Sequence, residues 1–427
     1  MRKSTLLFAL AAVAAATATA AVADDSPFQL LLGASNVAVF GDAPYGVDAP
    51  YGGKVTDTAE FAATPAFIEF VNSDPSISLV LHVGDIHSGK QNCTLAYDQS
   101  IYDLWTAFAH PLIYTPGDNE WSDCHKKGEG GGLYDPAQDT IVYDTNPDQS
   151  LTDYAGGDPI ANLTLVRQIF FSNPGHALAQ QKLVLSQAFA YDRAHPSDAK
   201  FVENVIWTQS RVLFVTLNMP GGSNNDQDIW YGRPSLTGAQ IQEIAERTDA
   251  DIRWLDLAFT LAKVLRVKGV VVQIQADMWD PEKGAAHQAG FEGVFGFTDP
   301  TYGFVQGVHD PSRDIVGDLA KQVSSFGGPV LLFNGDSHVF RSDNPLLQGA
   351  DCVMDPGSGL DATSPCPSDD WLQHPNAYPN VANFHRVVVH GSTFPLEYLK
   401  LTIDPRANAA PSAYAIGPFS WQRVIQK

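Results

Sequence analysis

The chain has 427 residues, with 26 basic against 48 acidic side chains and a net charge of −22 at neutral pH. That excess of negative charge argues against nucleic acid and anionic membrane as partners, and reads as a solubility device. With 44% hydrophobic residues, the chain is long enough for one large α/β domain or two smaller ones, and no boundary in it is strong enough to cut it in two.

Arg2 and Lys3 precede an Ala-rich apolar run from Leu6 to Val22, and Ala21-Val22-Ala23 has the form of a signal-peptidase site. No later stretch approaches the length of a membrane span. Residues 1–23 are therefore expected to be a cleavable signal peptide. Residues 24–427 are expected as a single exported, soluble domain, secreted or periplasmic. Cys93, Cys124, Cys352 and Cys366 in such a chain imply two disulfides, and sequence proximity favours Cys93–Cys124 and Cys352–Cys366 among the three pairings. Asn92-Cys93-Thr94 and Asn162-Leu163-Thr164 fit the N-glycosylation pattern.

In chain order, four short apolar runs each break into a loop containing Gly-Asp. Val37–Phe40 leads to Gly41-Asp42, Leu79–Val83 to Gly84-Asp85-Ile86-His87, Pro111–Tyr114 to Gly117-Asp118-Asn119-Glu120, and Val330–Asn334 to Gly335-Asp336-Ser337-His338. Runs this short, bounded by Gly, read as buried strands of an α/β sheet. Between them the spacing predicts helices over Thr58–Asn72, with Pro65 as an interruption, and over Asp98–Ala109, with Ile101, Leu104, Trp105 and Phe108 on one face. The Gly-, Asp- and Pro-rich stretch Gly128–Pro159 reads as a long surface excursion over the site. Leu163–Phe171, Ala177–Gln187 and Leu236–Val264 read as helices. Val212–Leu217 and Gly269–Ile274 read as strands, and Val387–Val389 with Leu399–Ile403 as a hairpin.

In α/β sheets ligands sit at the carboxyl ends of the strands, where all four Asp residues fall. Carboxylates gathered at one edge repel one another unless a cation joins them, so a metal site is the natural reading. For any one of these Asp residues the plainer role is to cap a helix or hold a turn. His82, inside an apolar strand, reads as a satisfied core histidine. Gly84 to Lys90 has the G-x-x-x-x-G-K spacing of a phosphate-binding loop, but Gln91 stands where that motif needs Ser or Thr.

The order of these blocks from Val37 to Phe340 resembles the calcineurin-like metallophosphoesterases, the superfamily that includes purple acid phosphatases and many phosphodiesterases. The resemblance implies a layered α/β sandwich of two mixed β-sheets flanked by helices. It also implies hydrolysis of phosphate mono- or diesters by a hydroxide generated at one or two divalent ions. Carried over by position, Asp42 holds the first metal, Asp85 bridges both, Asp118 replaces an Asn ligand, Asp336 replaces a His and His338 matches the last His. The lone-His position falls at Gln275, or at Asp277 if the loop shifts. Pro44 stands where the first motif has His and supplies no ligand, leaving Tyr45 or His87 to fill the gap. Asn119 takes the place of a catalytic His, and Asn119 and His87 are the candidate catalytic side chains. The oxygen-rich set favours Mn, Mg, Fe or Ca over Zn. The implied partner is a phosphorylated small molecule. The missing histidines leave a second reading, a secreted protein that keeps the fold with little or no catalysis and at most one metal.

Overall fold

The computed structural model describes residues 26–30, 32–46, 58–225, 228–279, 315–355, 363–366 and 380–426; the expected signal peptide lies outside them. Its strands begin with β1 (Ser35–Phe40), β2 (Ile77–His82), β3 (Leu112–Tyr114), β4 (Gly132–Asp135), β5 (Thr140–Tyr143) and β6 (Leu185–Ser186). There follow β7 (Val205–Gln209), β8 (Val212–Thr216), β9 (Gly269–Gln273), β10 (Val330–Asn334), β11 (Arg341–Asp343) and β12 (Val353–Met354). The last are β13 (Ser364–Pro365), β14 (Phe384–Val388), β15 (Glu397–Ile403), β16 (Ala409–Ser412), β17 (Ala415–Gly417) and β18 (Phe419–Ile425). The helices are α1 (Thr58–Asn72), α2 (Leu95–Trp105), α3 (Pro159–Phe170), the short α4 (Gly221–Asn225), α5 (Gly238–Leu265) and α6 (Ile315–Phe326).

Two mixed sheets form among the described residues. One runs β16-β17-β18-β15-β1-β2-β3 and the other β13-β12-β11-β14-β10-β9-β8-β7-β6. In the first, β1, β2 and β3 are parallel; in the second, β8, β9, β10 and β14 are parallel. Alternation along the strands explains the layering. Val37, Val39, Leu79 and Leu81 of the first sheet share one buried cluster with Phe214, Val271, Leu331 and Phe333 of the second. The opposite face of the first sheet, with Ala38 and Val80, packs on Phe67, Ile101, Trp105 and Val166 from α1, α2 and α3. The opposite face of the second, with Leu213, Val270 and Leu332, packs on Ile252, Leu255, Phe259, Leu319 and Val323 from α5 and α6. This is the expected helix–sheet–sheet–helix sandwich, and each such aliphatic side chain contributes about 1.5–3 kcal/mol by leaving water.

The helices begin where the sequence supplies oxygen acceptors. Thr94 caps α2 by accepting from Tyr97 N, Asp158 caps α3 from Ala161 N with Pro159 in the first turn, and Thr237 caps α5 from Gln240 N. Helix α1 runs through Pro65, which sits on its exposed side. The Gly128–Pro159 excursion carries the two-stranded ribbon β4–β5. Both cysteine pairs form as expected, Cys93–Cys124 and Cys352–Cys366.

Two expectations are corrected. Ala177–Gln187 is no helix: Ala179 has a left-handed φ of 58°, Leu178 exchanges backbone hydrogen bonds with Leu112 beside β3, and only Leu185–Ser186 is a strand. Val387 and Leu399 do not form a hairpin either. Strand β14 pairs with β10 and β11 in one sheet, and β15 with β1 and β18 in the other, so the connection crosses between sheets. Both sequon asparagines are buried. Asn92 is 9% exposed and Asn162 1%, the latter donating to Asp158 O, so neither presents an amide to a glycosylating enzyme.

Candidate metal centre

The parallel strands of the two sheets end along a common edge, and the loops there deliver the expected residues. Asp42 follows β1, Asp85 follows β2, Asp118 follows β3, Gln275 follows β9, and Asp336 and His338 follow β10. Four of these residues have left-handed backbones: Asp42 (φ 48°), Asp85 (58°), Asp336 (74°) and His338 (63°). Such conformations cost of order 1–3 kcal/mol each and persist where surrounding contacts over-determine them, which is typical of functional loops. The edge is also tight. A Cβ at Gly335 would collide with Asp42 Oδ2, and one at Gly221 would meet both Asp118 Oδ2 (2.6 Å) and Asp336 Oδ1.

Asp42, Asp85 and His338 come together, each offering a ligand atom within 4.8 Å of the others. His338 Nε2 lies 3.5 Å from Asp42 Oδ1 and 3.0 Å from Tyr45 Oη. Tyr45, next to Pro44, is buried at this cluster: its hydroxyl donates to Asp85 Oδ2 (3.3 Å), and its ring packs edge-on against His338. Asp336 N donates to Asp42 Oδ1 (2.9 Å), and Asp42 Oδ2 is buried with no hydrogen-bond partner.

The other half is filled from within. Gln275 Nε2 donates to both Asp85 Oδ2 (3.2 Å) and Asp118 Oδ1 (3.0 Å), while its Oε1 accepts from Gly221 N. Gln275, expected as a ligand, thus spends both ends of its amide on protein partners. Asp336 Oδ2 accepts from Asp277 N (3.2 Å). Asn119, expected as catalytic, donates from Nδ2 to Asp85 Oδ2 (3.1 Å) and to His87 O (3.0 Å), fixing the Asp85 carboxylate. His87, also expected as catalytic, turns its fully buried ring away to Asp98 (Nε2 to Oδ1, 2.6 Å) and against Tyr97.

Electrostatics favour a cation. Burial raises the Asp42 carboxyl well above its ordinary range despite the Asp336 N–H, and Asp336 and Asp118 push it further. Asp85 is raised likewise by burial, then by Asp118, Glu120 and Asp42. Asp118 rises to about 7 through burial and the charge of Asp336. Buried acids that repel one another are relieved by a bound positive charge. Two carboxylates, one of them with the unpartnered oxygen Asp42 Oδ2, and an imidazole fit a divalent ion.

Some contributors escaped the sequence reading. Glu120 holds the loop after β3, accepting from Gly117 N (2.6 Å) and Tyr114 Oη. The loop after β14 closes over Asp42, with Ser392 N donating to Asp42 O (2.8 Å); its signal was a Gly-ended strand without an Asp. His82 is fully buried, as expected. Its Nε2 reaches Ala43 O (2.6 Å) and its Nδ1 accepts from Gly84 N (3.2 Å), so one neutral ring joins the Asp42 and Asp85 loops.

Residues 35–234 match the family model described as calcineurin-like phosphoesterase. No curated protein sequence matches. Two solved structures align at 12% identity and a TM-score of 0.36: a purple acid phosphatase from yellow lupin (Lupinus luteus) seeds, over 88% of this chain and 50% of that one, and Haemophilus influenzae NAD nucleotidase, over 92% and 49%. The chain spans about half the length of each. Among the described residues no helix is long and apolar enough to cross a membrane. The family match runs from β1 to the loop before α5, residues 35–234, just under half of the chain.

Proposed function

We propose that this chain is an exported, metal-dependent phosphoesterase acting on phosphate mono- or diesters of small molecules, with one divalent ion held by Asp42, Asp85 and His338. The carrying observation is Asp42 Oδ2, a buried carboxylate oxygen without a hydrogen-bond partner, beside Asp85 and His338. Mn²⁺, Mg²⁺, Fe or Ca²⁺ suits the oxygen-rich surroundings better than Zn²⁺. When bound, such an ion supplies Lewis-acid polarisation of a phosphoryl oxygen and acidifies an attacking water. The protein residues hold the geometry. Tyr45 and Asn119 fix Asp85, and Asp336 N fixes Asp42. Export is supported by the N-terminal apolar run after Arg2 and Lys3 and by the two disulfides.

Asp85→Asn tests the reading. Metal content by elemental analysis and turnover of aryl phosphate mono- and diesters should both be lost; retention of both would sink the proposal. The amides of Gln275 and Asn119, standing where the superfamily pattern has histidines, support the rival reading of a fold kept without catalysis. No turnover by the wild-type chain with Mn²⁺, Mg²⁺ or Fe would establish that rival.

A further inference from the structure

Beyond this centre, Asn92 Oδ1 in the loop after β2 and Asp153 Oδ1 at the far end of the 128–160 excursion converge beside Gly130, with Glu129 on the same turn and within reach of the Asp153 charge. Asn92 is 9% exposed and Glu129 1%, and neither Asn92 Oδ1 nor Glu129 Oε2 has a hydrogen-bond partner. Asp153, 3% exposed, closes the third side. A Cβ built on Gly130 would stand 2.7 Å from Asp153 Oδ1 and 2.8 Å from Asn92 Oδ1, so both oxygens aim at one point beside that glycine. Gly130 has a φ of 97°, which a residue with a side chain rarely adopts, and Glu129 directly precedes it. Lys126, on the same turn, is already bound to Asp123 (2.5 Å) and Asp228 (3.1 Å).

Asn92 Oδ1 and Glu129 Oε2, unpartnered and this deeply buried, call for a partner of opposite charge or for ordered water. Two carboxylates and an amide oxygen, with no nitrogen or sulfur among them, make a hard, all-oxygen set. We propose that Asn92, Glu129 and Asp153 form a structural Ca²⁺ site that shares none of its ligands with the phosphoesterase centre. The site joins three segments. Asn92 adjoins Cys93 of the Cys93–Cys124 disulfide, and Tyr154 N, next to Asp153, donates to Cys93 O (2.8 Å). Bound Ca²⁺ would fasten the excursion to the loops that carry Asp85 and Asp118, and by binding only the folded chain it would raise stability with calcium concentration.

The experiment uses the full mature chain stripped with EGTA, then titrated with CaCl₂ by calorimetry and by thermal unfolding. In Asp85→Asn, whose phosphoesterase centre is disabled, one Ca²⁺ per chain and a rise in Tm of several degrees are expected, and MgCl₂ at the same concentration should not reproduce the rise. Adding Glu129→Gln or Asn92→Ala to Asp85→Asn should abolish this calcium-dependent rise. If Glu129→Gln fails to fold, Asn92→Ala decides. The proposal is overturned if calcium leaves the Tm of Asp85→Asn unchanged, if Mg²⁺ acts equally on that variant, or if the rise survives the addition of Asn92→Ala. Failure of the phosphoesterase reading alone would leave the calcium response intact.

Discussion

The two halves of the strand-end edge are built from the same residue type to opposite effect. Around Asp42, carboxylates meet an imidazole and a phenol, and one oxygen is left without a hydrogen bond. Around Asp118, a carboxylate meets the amide of Gln275, which donates to Asp118 and Asp85 and is itself held by Gly221 N. A neutral side chain that donates to two acids supplies by hydrogen bonding part of what a metal supplies by charge. An acidic edge alone therefore does not report how many ions it holds; the non-acidic residue between the acids decides.

The largest expected effect comes from attacking the open half. Asp42→Ala should remove the ion and lower kcat/KM by about a thousand-fold, roughly 4 kcal/mol of transition-state stabilisation, read by steady-state kinetics beside elemental analysis. Next is the filled half. Gln275→Leu leaves Asp85 and Asp118 without their shared donor, and should cost about 1–3 kcal/mol in urea unfolding. Gln275→His should sharpen the contrast by raising the bound metal from one to two per chain, and an unchanged stoichiometry would show that Gln275 is not what closes that half.

Acid should then weaken the frame behind both halves. Burial lowers His82 and His385 to about 4. The unfolded chain takes up these protons first, so their contribution is complete above about pH 6.5 and is lost as pH falls from there toward 4. By pH 5 the loss is about 2 kcal/mol for each, measurable as a falling urea midpoint between pH 7 and 5. The smallest effect is Tyr45→Phe, which removes one hydroxyl between Asp85 and His338. It should cost about 1 kcal/mol of stability, with metal affinity reduced more than the fold is weakened.

The sequence made the frame legible because buried parallel strands have a strong signature. Val37–Phe40, Leu79–His82 and Val330–Asn334 are short apolar runs with Gly-Asp at their ends, and all three lie at the proposed edge. Side-chain direction was less legible. His87 stands two residues from Asp85, yet its ring pairs with Asp98 on α2, a partner fixed only when helix and loop pack. Gln275 was placed at the right strand end, but whether its amide ligates an ion or bridges two acids depends on Gly221 N, brought in by a distant turn. Ala177–Gln187 misled because its apolar spacing suits a helix, while the backbone reversal at Ala179 and pairing with Leu112 are tertiary events. Val387–Val389 and Leu399–Ile403 misled because adjacency in sequence says nothing of which sheet a strand joins.

The origin of the site's residues has a mechanical consequence. Asp42 and Asp85 hang from one sheet and His338 from the other, and the direct ties across this edge include Asp336 N to Asp42 and Gln273 Nε2 to His82 O (2.7 Å). An ion gripped by all three would act as a rivet through the seam between the sheets. The loaded protein would resist shear along that seam more strongly than the metal-free protein, whose sheets are held by the apolar cluster they share and by ties such as Gln275 to Asp85.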